Sequence, residues 1–269
     1  MSIQDHGRFG YRDMGVPVSG AMDLLSVRQA NLLLENPPDA AVLEITMTGP
    51  TLEFEEPTYI CLSGAHMAAS LNHVSLENHQ VVKVSKGDIL SYGRLWDGFR
   101  GYLAIKGGIR SEPVLGSRSQ FHPVTVQKRL KDGDTVPYTK TLSYNPILSE
   151  LKIDAHFHKS HLDVHKGPEF SMLDDAQLAE LFTKTFTVSK ENNRMAYQLS
   201  EPLAPHSKSM LTSGTLPGTV QYTPAGRLII LMKDGQTTGG YPRILQLSED
   251  SLCTLAQKKL GDPLNFKLL

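Results

Sequence analysis

Short apolar runs of strand length recur along the chain, and the clearest of them lies at 228–232. Its five consecutive apolar residues predict a strand buried on both faces. Polar and apolar residues alternate at 243–247, which predicts a second strand. The loop between them, 233–242, carries a cation, a carboxylate, hydroxyls and three glycines, and it is longer than a turn requires. This pattern indicates either a ligand site or a glycine-rich hairpin on the surface.

Helical spacing of apolar residues occurs at two places. The first stretch begins after Asp23 and ends at Asn36, before two prolines that cannot continue a helix. The second spans 174–182. Everything after 182 is predicted to be strand and turn, and the short strands between 42 and 109 recur at intervals of about 8–12 residues that are typical of sandwiches and barrels. The remaining predicted strands lie at 42–47, 51–54, 59–62, 79–84, 89–90, 102–105 and 264–268.

The chain is long enough for two domains. Its 269 residues include a polar, irregular stretch that begins at Pro137 and is the best linker candidate. We therefore predict an N-terminal β-rich half at 1–140, a linker at 141–160 and a C-terminal β-rich half at 161–269. The predicted fold class is mostly β, with a few short helices.

Composition excludes several classes of partner. Opposite charges nearly cancel, at a net charge of −1 and a pI near 6.8, and like charges form no block. Nucleic acid and anionic membranes both need a basic face, so neither is expected as a partner. Cys61 and Cys253 have no framework spacing, and neither a signal peptide nor an apolar stretch of membrane length is found. A soluble, cytoplasmic protein is expected, with Cys61 as a buried, inert thiol.

The N-terminal stretch at 4–23 has neither helical nor strand periodicity. It is dense in glycine and charge, and its aromatic residues argue against disorder. A long ordered loop of this kind is more often functional than filler. Arg8 and Arg12 are either surface charges or anion clamps, and Asp23 either caps the following helix or belongs to a site.

Four histidines between 156 and 165 suggest a metal site, because His156 and His158 would share one face of a strand. They lie across the predicted linker, however, so solvated linker histidines are the favoured interpretation. No nucleophile elbow and no P-loop motif is found in the sequence. The motifs of the common hydrolases and ATPases therefore do not explain this chain.

Four motifs, taken in order, resemble one family. They are Gln4-Asp5-x-Gly7-Arg8-x-Gly10-Tyr11 with Gly15 to Asp23, Tyr102-Leu103-Ala104-Ile105-x-Gly107-Gly108-Ile109 with Leu115 to Ser119, Arg194-Met195-x-Tyr197-x-Leu199 with Pro217 to Gln221, and Asp234-x-Gln236-Thr237-Thr238-Gly239-Gly240-Tyr241-Pro242. Their order and spacing are similar to those of the KipA-like family, also called the biotin-dependent carboxyltransferase or allophanate hydrolase subunit 2 family. The resemblance covers nearly the whole chain.

The resemblance implies two cyclophilin-like β-barrel subdomains. It also implies the C subunit of an ATP-dependent 5-oxoprolinase, which opens the pyroglutamate lactam with two partners, a KipI-like B subunit plus an A subunit. ATP and Mg²⁺ would then be shared with a partner subunit. The alternatives are a carboxyltransferase subunit of a biotin-dependent urea or amide carboxylase and a non-enzymatic, KipA-like regulatory partner.

Lactam opening through a phosphorylated imidate needs donors for phosphate oxygens, and carboxyl transfer needs a similar cradle. We predict that the loop from Asp234 to Tyr241 faces the loop from Gly7 to Asp23 and forms that cradle in a single cleft. Asp23 or Asp234 would act as a base or hold Mg²⁺, although no resident metal site is predicted. The predicted catalytic residues are Asp23, Asp234, Thr238 and Tyr241. The predicted substrate- or phosphate-binding residues are Arg8, Ser19, Arg194, Gln221, Gln236, Thr237, Gly239 and Gly240.

Overall fold

The computed structural model describes residues 1–148, 151, 153, 156–208 and 210–269. The chain divides into two compact units. One comprises Met1–Arg8 and Ser19–Asp154, and the other comprises Phe9–Val18 and Ala155–Leu269. The linker at 141–160 stays a prediction, but the second unit includes an N-terminal segment that the sequence assigned to the first half.

The first unit is built of two antiparallel sheets. Its strands are β1 (Ser2–Gln4), β2 (Val42–Thr46), β3 (Leu52–Glu53), β4 (Thr58–His66), β5 (Ser70–Leu71), β6 (Val74–Ser75), β7 (Val81–Val84), β8 (Ile89–Ser91) and β9 (Asp97–Ile105). The five-stranded sheet has the order β1-β2-β9-β4-β7, and the four-stranded sheet has the order β3-β8-β5-β6.

The long central strands β4 and β9 are buried on both faces, because each face meets a different apolar layer. Helix α1 (Leu24–Leu33) packs with Cys61 and Tyr102 on one face. The neighbouring residues Leu62 and Leu103 point the other way and join a second apolar cluster. The helix predicted after Asp23 is thereby confirmed.

The second unit contains a closed barrel. Its strands are β10 (His161–Lys166), β11 (Phe186–Asn192), β12 (Ala196–Leu199), β13 (Ser213–Gly214), β14 (Thr219–Tyr222), β15 (Leu228–Leu231), β16 (Thr238–Gly239), β17 (Arg243–Leu247) and β18 (Pro263–Leu268). Seven of them close in the order β10-β17-β14-β15-β12-β11-β18, and β13 pairs with β16. The mostly β fold class is confirmed.

The hairpin alternative for loop 233–242 is wrong. Both predicted strands that flank it are present, as β15 and β17, but they do not pair with each other. β14 lies between them and pairs with both. The loop therefore has to pass over β14, which explains why it is longer than a turn.

The described residues contain two α-helices in the second unit, and the sequence predicted only one. Helix α2 (Asp175–Thr183) confirms the prediction at 174–182, and Asp174 caps it. Helix α3 (Glu249–Ala256) contradicts the expectation of strand and turn to the end of the chain. It is only eight residues long, so its apolar spacing covers about two turns, but the Ser248 cap was a visible signal in the sequence. In the described part of the chain, no helix is long and apolar enough to cross a bilayer.

The histidine run does not form the predicted strand face. His156 and His158 lie in a short 3₁₀ helix, whereas His161 and His165 lie on β10. The prediction that His156 and His158 share one face of a strand is therefore wrong. No group of three or more metal-ligating side chains is found within the described ranges.

Cys61 is fully buried, and burial raises the pKa of its thiol to about 12. We expect no reaction with Ellman's reagent in the native protein at pH 8, because the thiolate is the reactive species. Both thiols should react in 6 M guanidinium chloride. Since the thiol ionises less readily when folded, its contribution to stability is present below about pH 9 and is lost toward pH 12. Rapid labelling of native Cys61, located by mass spectrometry, would contradict this expectation.

Candidate functional site

In the second unit, the glycine-rich loop is held as a short ribbon. We call β13 and β16 together the ribbon, since Ser213 pairs with Gly239 and Gly214 with Thr238. Thr215 is buried and fixes the backbone of residues 236 and 237, which directly precede β16. Its amide donates to the Thr237 carbonyl at 3.0 Å, and its hydroxyl donates to the carbonyl of residue 236 at 2.6 Å. The loop backbone is thus ordered by hydrogen bonds and not only by its glycines.

An ion pair holds the start of the loop. The Arg194 guanidinium binds both carboxylate oxygens of Asp234, at 2.8 and 3.0 Å, and the Asp234 amide donates to the Arg194 carbonyl at 2.8 Å. Their side chains are only 21% and 12% exposed. The predicted binding residue and the predicted catalytic residue are therefore partners. A carboxylate held by a bidentate guanidinium is better placed to position the loop than to accept a proton.

A second ion pair, which sequence analysis missed, holds the other end. Arg243 binds both carboxylate oxygens of Glu169, at 2.9 and 2.7 Å, and this hydrogen bonding lowers the pKa of Glu169. The remaining guanidinium nitrogen of Arg243 donates to the Gly214 carbonyl at 2.5 Å, so Arg243 also holds the ribbon in place. The sequence carried one signal for Arg243, because this residue directly follows the motif from Gly239 to Pro242.

Beneath the ribbon lies an amide with an unsatisfied donor. Gln221 is 1% exposed, and its Nε2 has no hydrogen-bond partner among the described residues. A Cβ atom added at Gly239 would overlap this nitrogen. Two residues predicted to bind substrate thus meet in the structure. Buried donors are nearly always satisfied, so this one indicates a ligand or water that completes the site.

The loop also presents polar groups outward. Thr238 and Gln236 are exposed, Tyr241 is 41% exposed and Thr237 is half-buried. The hydroxyls of Thr237, Thr238 and Tyr241 form no hydrogen bond with any described residue. These groups are therefore available to a ligand.

The segment at 9–18 brings an arginine to the same ribbon. Arg12 Nη2 donates to the Thr215 carbonyl, and Arg12 Nη1 is buried without a hydrogen-bond partner among the described residues. Burial lowers the pKa of this guanidinium. Of the two interpretations open for Arg12, an anion clamp fits these contacts better than a surface charge.

In the first unit, Arg8 is a buried anchor. It is 1% exposed, and it donates to the carbonyls of Val114 at 3.1 Å and of Ser119 at 2.8 Å. Nearby Asp5 accepts from the hydroxyls of Ser117 and Ser119, at 2.7 and 2.6 Å. Arg8 therefore ties the second family motif to the first, and its predicted role as a phosphate ligand stays a prediction.

Ser19 has an unusual backbone and an unsatisfied side chain. Its φ is 56°, in the left-handed region, and it is fully buried. Its hydroxyl has no hydrogen-bond partner among the described residues. The next residue, Gly20, approaches Gly7 so closely that an added Cβ would lie 2.9 Å from the Gly7 Cα. Backbone strain of this kind occurs at functional sites, and the binding role of Ser19 stays a prediction.

Asp23 caps α1. Its carboxylate accepts from the Ser26 amide at 3.1 Å and from the Ser26 hydroxyl at 2.6 Å, and the residue is fully buried. Its amide donates to the Tyr102 hydroxyl, which donates to Glu44 at 3.0 Å. Burial, together with Glu44 and Asp23, raises the pKa of Tyr102. The cap accounts for the local geometry, and the catalytic role of Asp23 stays a prediction.

Substitution of Asp23 separates these two roles. Asparagine can still accept the cap hydrogen bond, so we expect Asp23→Asn to retain stability and activity. Asp23→Ala should lower the free energy of unfolding by about 1 kcal/mol or more, measured by urea denaturation. If Asp23→Asn is stable but inactive in the assembled enzyme, the carboxylate has a chemical role beyond the cap.

The second unit alone thus brings together Arg12, Thr215, Gln221 and Gly239. The single cleft predicted to unite Asp23 with Tyr241 stays a prediction, since these residues lie in different units.

Comparison with known proteins gives a consistent result. The family model described as "Carboxyltransferase domain, subdomain A and B" matches residues 14–268. The chain is 35% identical to the 5-oxoprolinase C subunit of Escherichia coli, covering 98% of this chain and 87% of that protein. It is 31% identical to the Haemophilus influenzae protein of the same name, covering 99% and 87%. The crystal structure of the K. lactis urea amidolyase superposes with a TM-score of 0.87 at 28% identity, covering all of this chain but only 18% of that one.

Proposed function

Because the chain belongs to the carboxyltransferase domain family, subdomains A and B, we propose that it is the C subunit of an ATP-dependent 5-oxoprolinase. It would hydrolyse the lactam of pyroglutamate together with a KipI-like B subunit plus an A subunit. Two relatives of that name, each matched over nearly the whole chain, support this assignment.

The observation that carries the proposal is the unsatisfied amide of Gln221 beneath the ribbon. Lactam opening places negative charge on the carbonyl oxygen, and a fixed N–H donor stabilises that charge in a buried site. The partnerless Nη1 of Arg12 offers a second donor at the same ribbon. Gly239 is required there because any side chain would collide with the amide.

The remaining polar groups of the loop have simple roles in this proposal. Thr238 and Tyr241 are exposed, so their hydroxyls would orient water or a phosphate oxygen at the entrance. Arg194 and Asp234 hold one end of the loop, and Arg243 holds the ribbon. Positioning of this kind matters because a displacement of about 1 Å can lower a rate about 100-fold.

ATP would supply the activation of the lactam oxygen. The carboxylates predicted for Mg²⁺ do not fit that role well, since Asp23 caps a helix and Asp234 is ion-paired. The described residues also contain no group of three potential ligands. Mg²⁺ would accordingly be held with groups from the other subunits.

The test uses the complex assembled from this chain with the A and B subunits. Glutamate release from pyroglutamate should depend on ATP. Thr238→Val and Tyr241→Phe each remove one hydroxyl and should lower kcat/KM by about tenfold or more. Thr139→Val, at an exposed hydroxyl in the first unit, is the matched control. Full activity in both loop variants would refute the proposed site.

Similarity to urea amidolyase favours a second candidate, a biotin-dependent carboxyltransferase subunit. A biotinylated partner that co-purifies with the chain, with urea or another amide as the carboxyl acceptor, would support it. Stable binding of the KipI-like B subunit without either activity would support the non-enzymatic, regulatory alternative.

A further inference from the structure

A cavity in the first unit, remote in sequence from the ribbon, has the features of a separate ligand site. It has a volume of about 290 Å³ and opens to solvent between β2 and β9 on one side and β3 and residues 133–136 on the other. This volume is near the lower end of the range for small-molecule sites.

The floor of the cavity is apolar core. Leu43, Leu103 and Ile105 line it and are at most 3% exposed. Leu52, Val136 and Tyr138 also line the cavity and are only partly buried, so they offer apolar surface that a ligand can cover. The floor therefore favours an apolar group.

The wall is braced so that it does not collapse into the space. Tyr138 packs its ring edge-on against Phe54, with centroids 6.2 Å apart. Its hydroxyl donates to the Glu56 carbonyl at 2.6 Å and accepts from the Glu56 amide at 3.1 Å. The cavity is thus pre-formed, which lowers the entropic cost of binding.

The rim carries negative charge without a counter-charge. Glu53 and Glu55 line the opening and are exposed, and the carboxylate of neither one forms an ion pair with any described residue. Asp134 lines it too, and one of its oxygens accepts from the Lys131 amide at 2.8 Å. Glu56, the neighbouring carboxylate that does not line the cavity, is paired with Lys140 at 2.9 Å. No cationic side chain is among the described residues that line the cavity, so its opening carries net negative charge.

We propose that this cavity binds a small molecule with an apolar body and a cationic amine head. The body would lie on the leucine and isoleucine floor, and the ammonium would lie between the carboxylates of the rim. A free small molecule fits better than a protein surface, because the site is a concave space and not a flat patch. The site is independent of the proposed lactam chemistry.

The test compares three probes of nearly equal size on the full chain. Phenethylamine should bind in calorimetric titration, 2-phenylethanol should bind about tenfold more weakly, and 3-phenylpropionate should bind more weakly still. Glu53→Gln with Glu55→Gln removes two charges and should reduce amine affinity to that of the alcohol. Glu112→Gln, at an exposed carboxylate outside the lining, should have no effect.

Backbone amide chemical shifts locate the bound probe. Changes centred on 51–55 and 133–138 are expected, and Thr135→Trp, which places an indole at the exposed mouth, should abolish them. Equal affinity for the three probes, no amine binding, or full affinity in the double variant would overturn the proposal. Tighter binding of a lysine-containing peptide than of phenethylamine would also overturn it, by identifying a partner protein's side chain as the occupant.

Discussion

Gly239→Ala is expected to lower kcat/KM of the assembled enzyme by about 100-fold. The added methyl would overlap Nε2 of Gln221, so either the buried amide or the ribbon must move. Overpacking of this kind costs about 1–3 kcal/mol, so the variant should still fold. Glutamate release and the thermal unfolding midpoint should be measured on the same preparation.

Gly240→Ala is the matched control, because nothing lies within 4 Å of an added Cβ at that position. Alanine keeps the backbone N–H through which Gly240 is predicted to bind, so this variant should leave activity unchanged. In the double variant Gly239→Ala with Gln221→Ala, the overlap is relieved but the donor is lost, so stability should recover while activity does not. If Gly239→Ala is fully active, the amide of Gln221 does not contact substrate in this geometry.

Asp234→Asn is expected to have the second largest effect. It removes the charge that holds Arg194 in a mostly buried ion pair, with side chains 12% and 21% exposed. Breaking hydrogen bonds to a charged group costs about 1.5–3 kcal/mol, and the Arg194 guanidinium would lose both of its contacts with the carboxylate. We expect a lower urea midpoint and a fall in kcat/KM of about tenfold or more.

Arg194→Lys tests the geometry of the pair, since lysine keeps the charge but loses the two-pronged contact. The urea midpoint and kcat/KM of this variant should lie between those of the wild type and those of Asp234→Asn. Glu180→Gln, at the more exposed pair with Lys184, is the control and should change little. Should Asp234→Asn abolish activity with unchanged stability, Asp234 acts directly on substrate and does not only position the loop.

Local patterns were sufficient for much of the fold. The apolar run at 228–232 predicted β15, and the alternation at 243–247 predicted β17. The prolines after Asn36 predicted the end of α1. Each of these patterns depends only on neighbouring residues. The family resemblance drawn from four motifs is confirmed by the match over 14–268. Within the site, Gln221 and Gly239 were both named from those motifs, and the structure places them in contact.

Contacts between residues that are far apart in the sequence could not be predicted from it. Nothing local indicates that β14 separates β15 from β17, because strand order is set by packing of the closed barrel. Arg243 and Glu169 are 74 positions apart, and a charged pair of that separation leaves no pattern in a single sequence. Helix α3 was missed although it is capped by Ser248 and has Glu249 and Asp250 in its first turn, because its eight residues give only about two turns of apolar spacing.

The inclusion of residues 9–18 in the second unit constrains how the chain matures during synthesis. Arg12 leaves the ribosome early, but its partner Thr215 follows 203 positions later. The barrel therefore cannot gain this contact until most of the polypeptide has been made, and residues 9–18 must wait for it even if the first unit has already folded. An isolated fragment starting at residue 155 would lack the arginine, so it would have to be supplied as a separate peptide or joined by circular permutation.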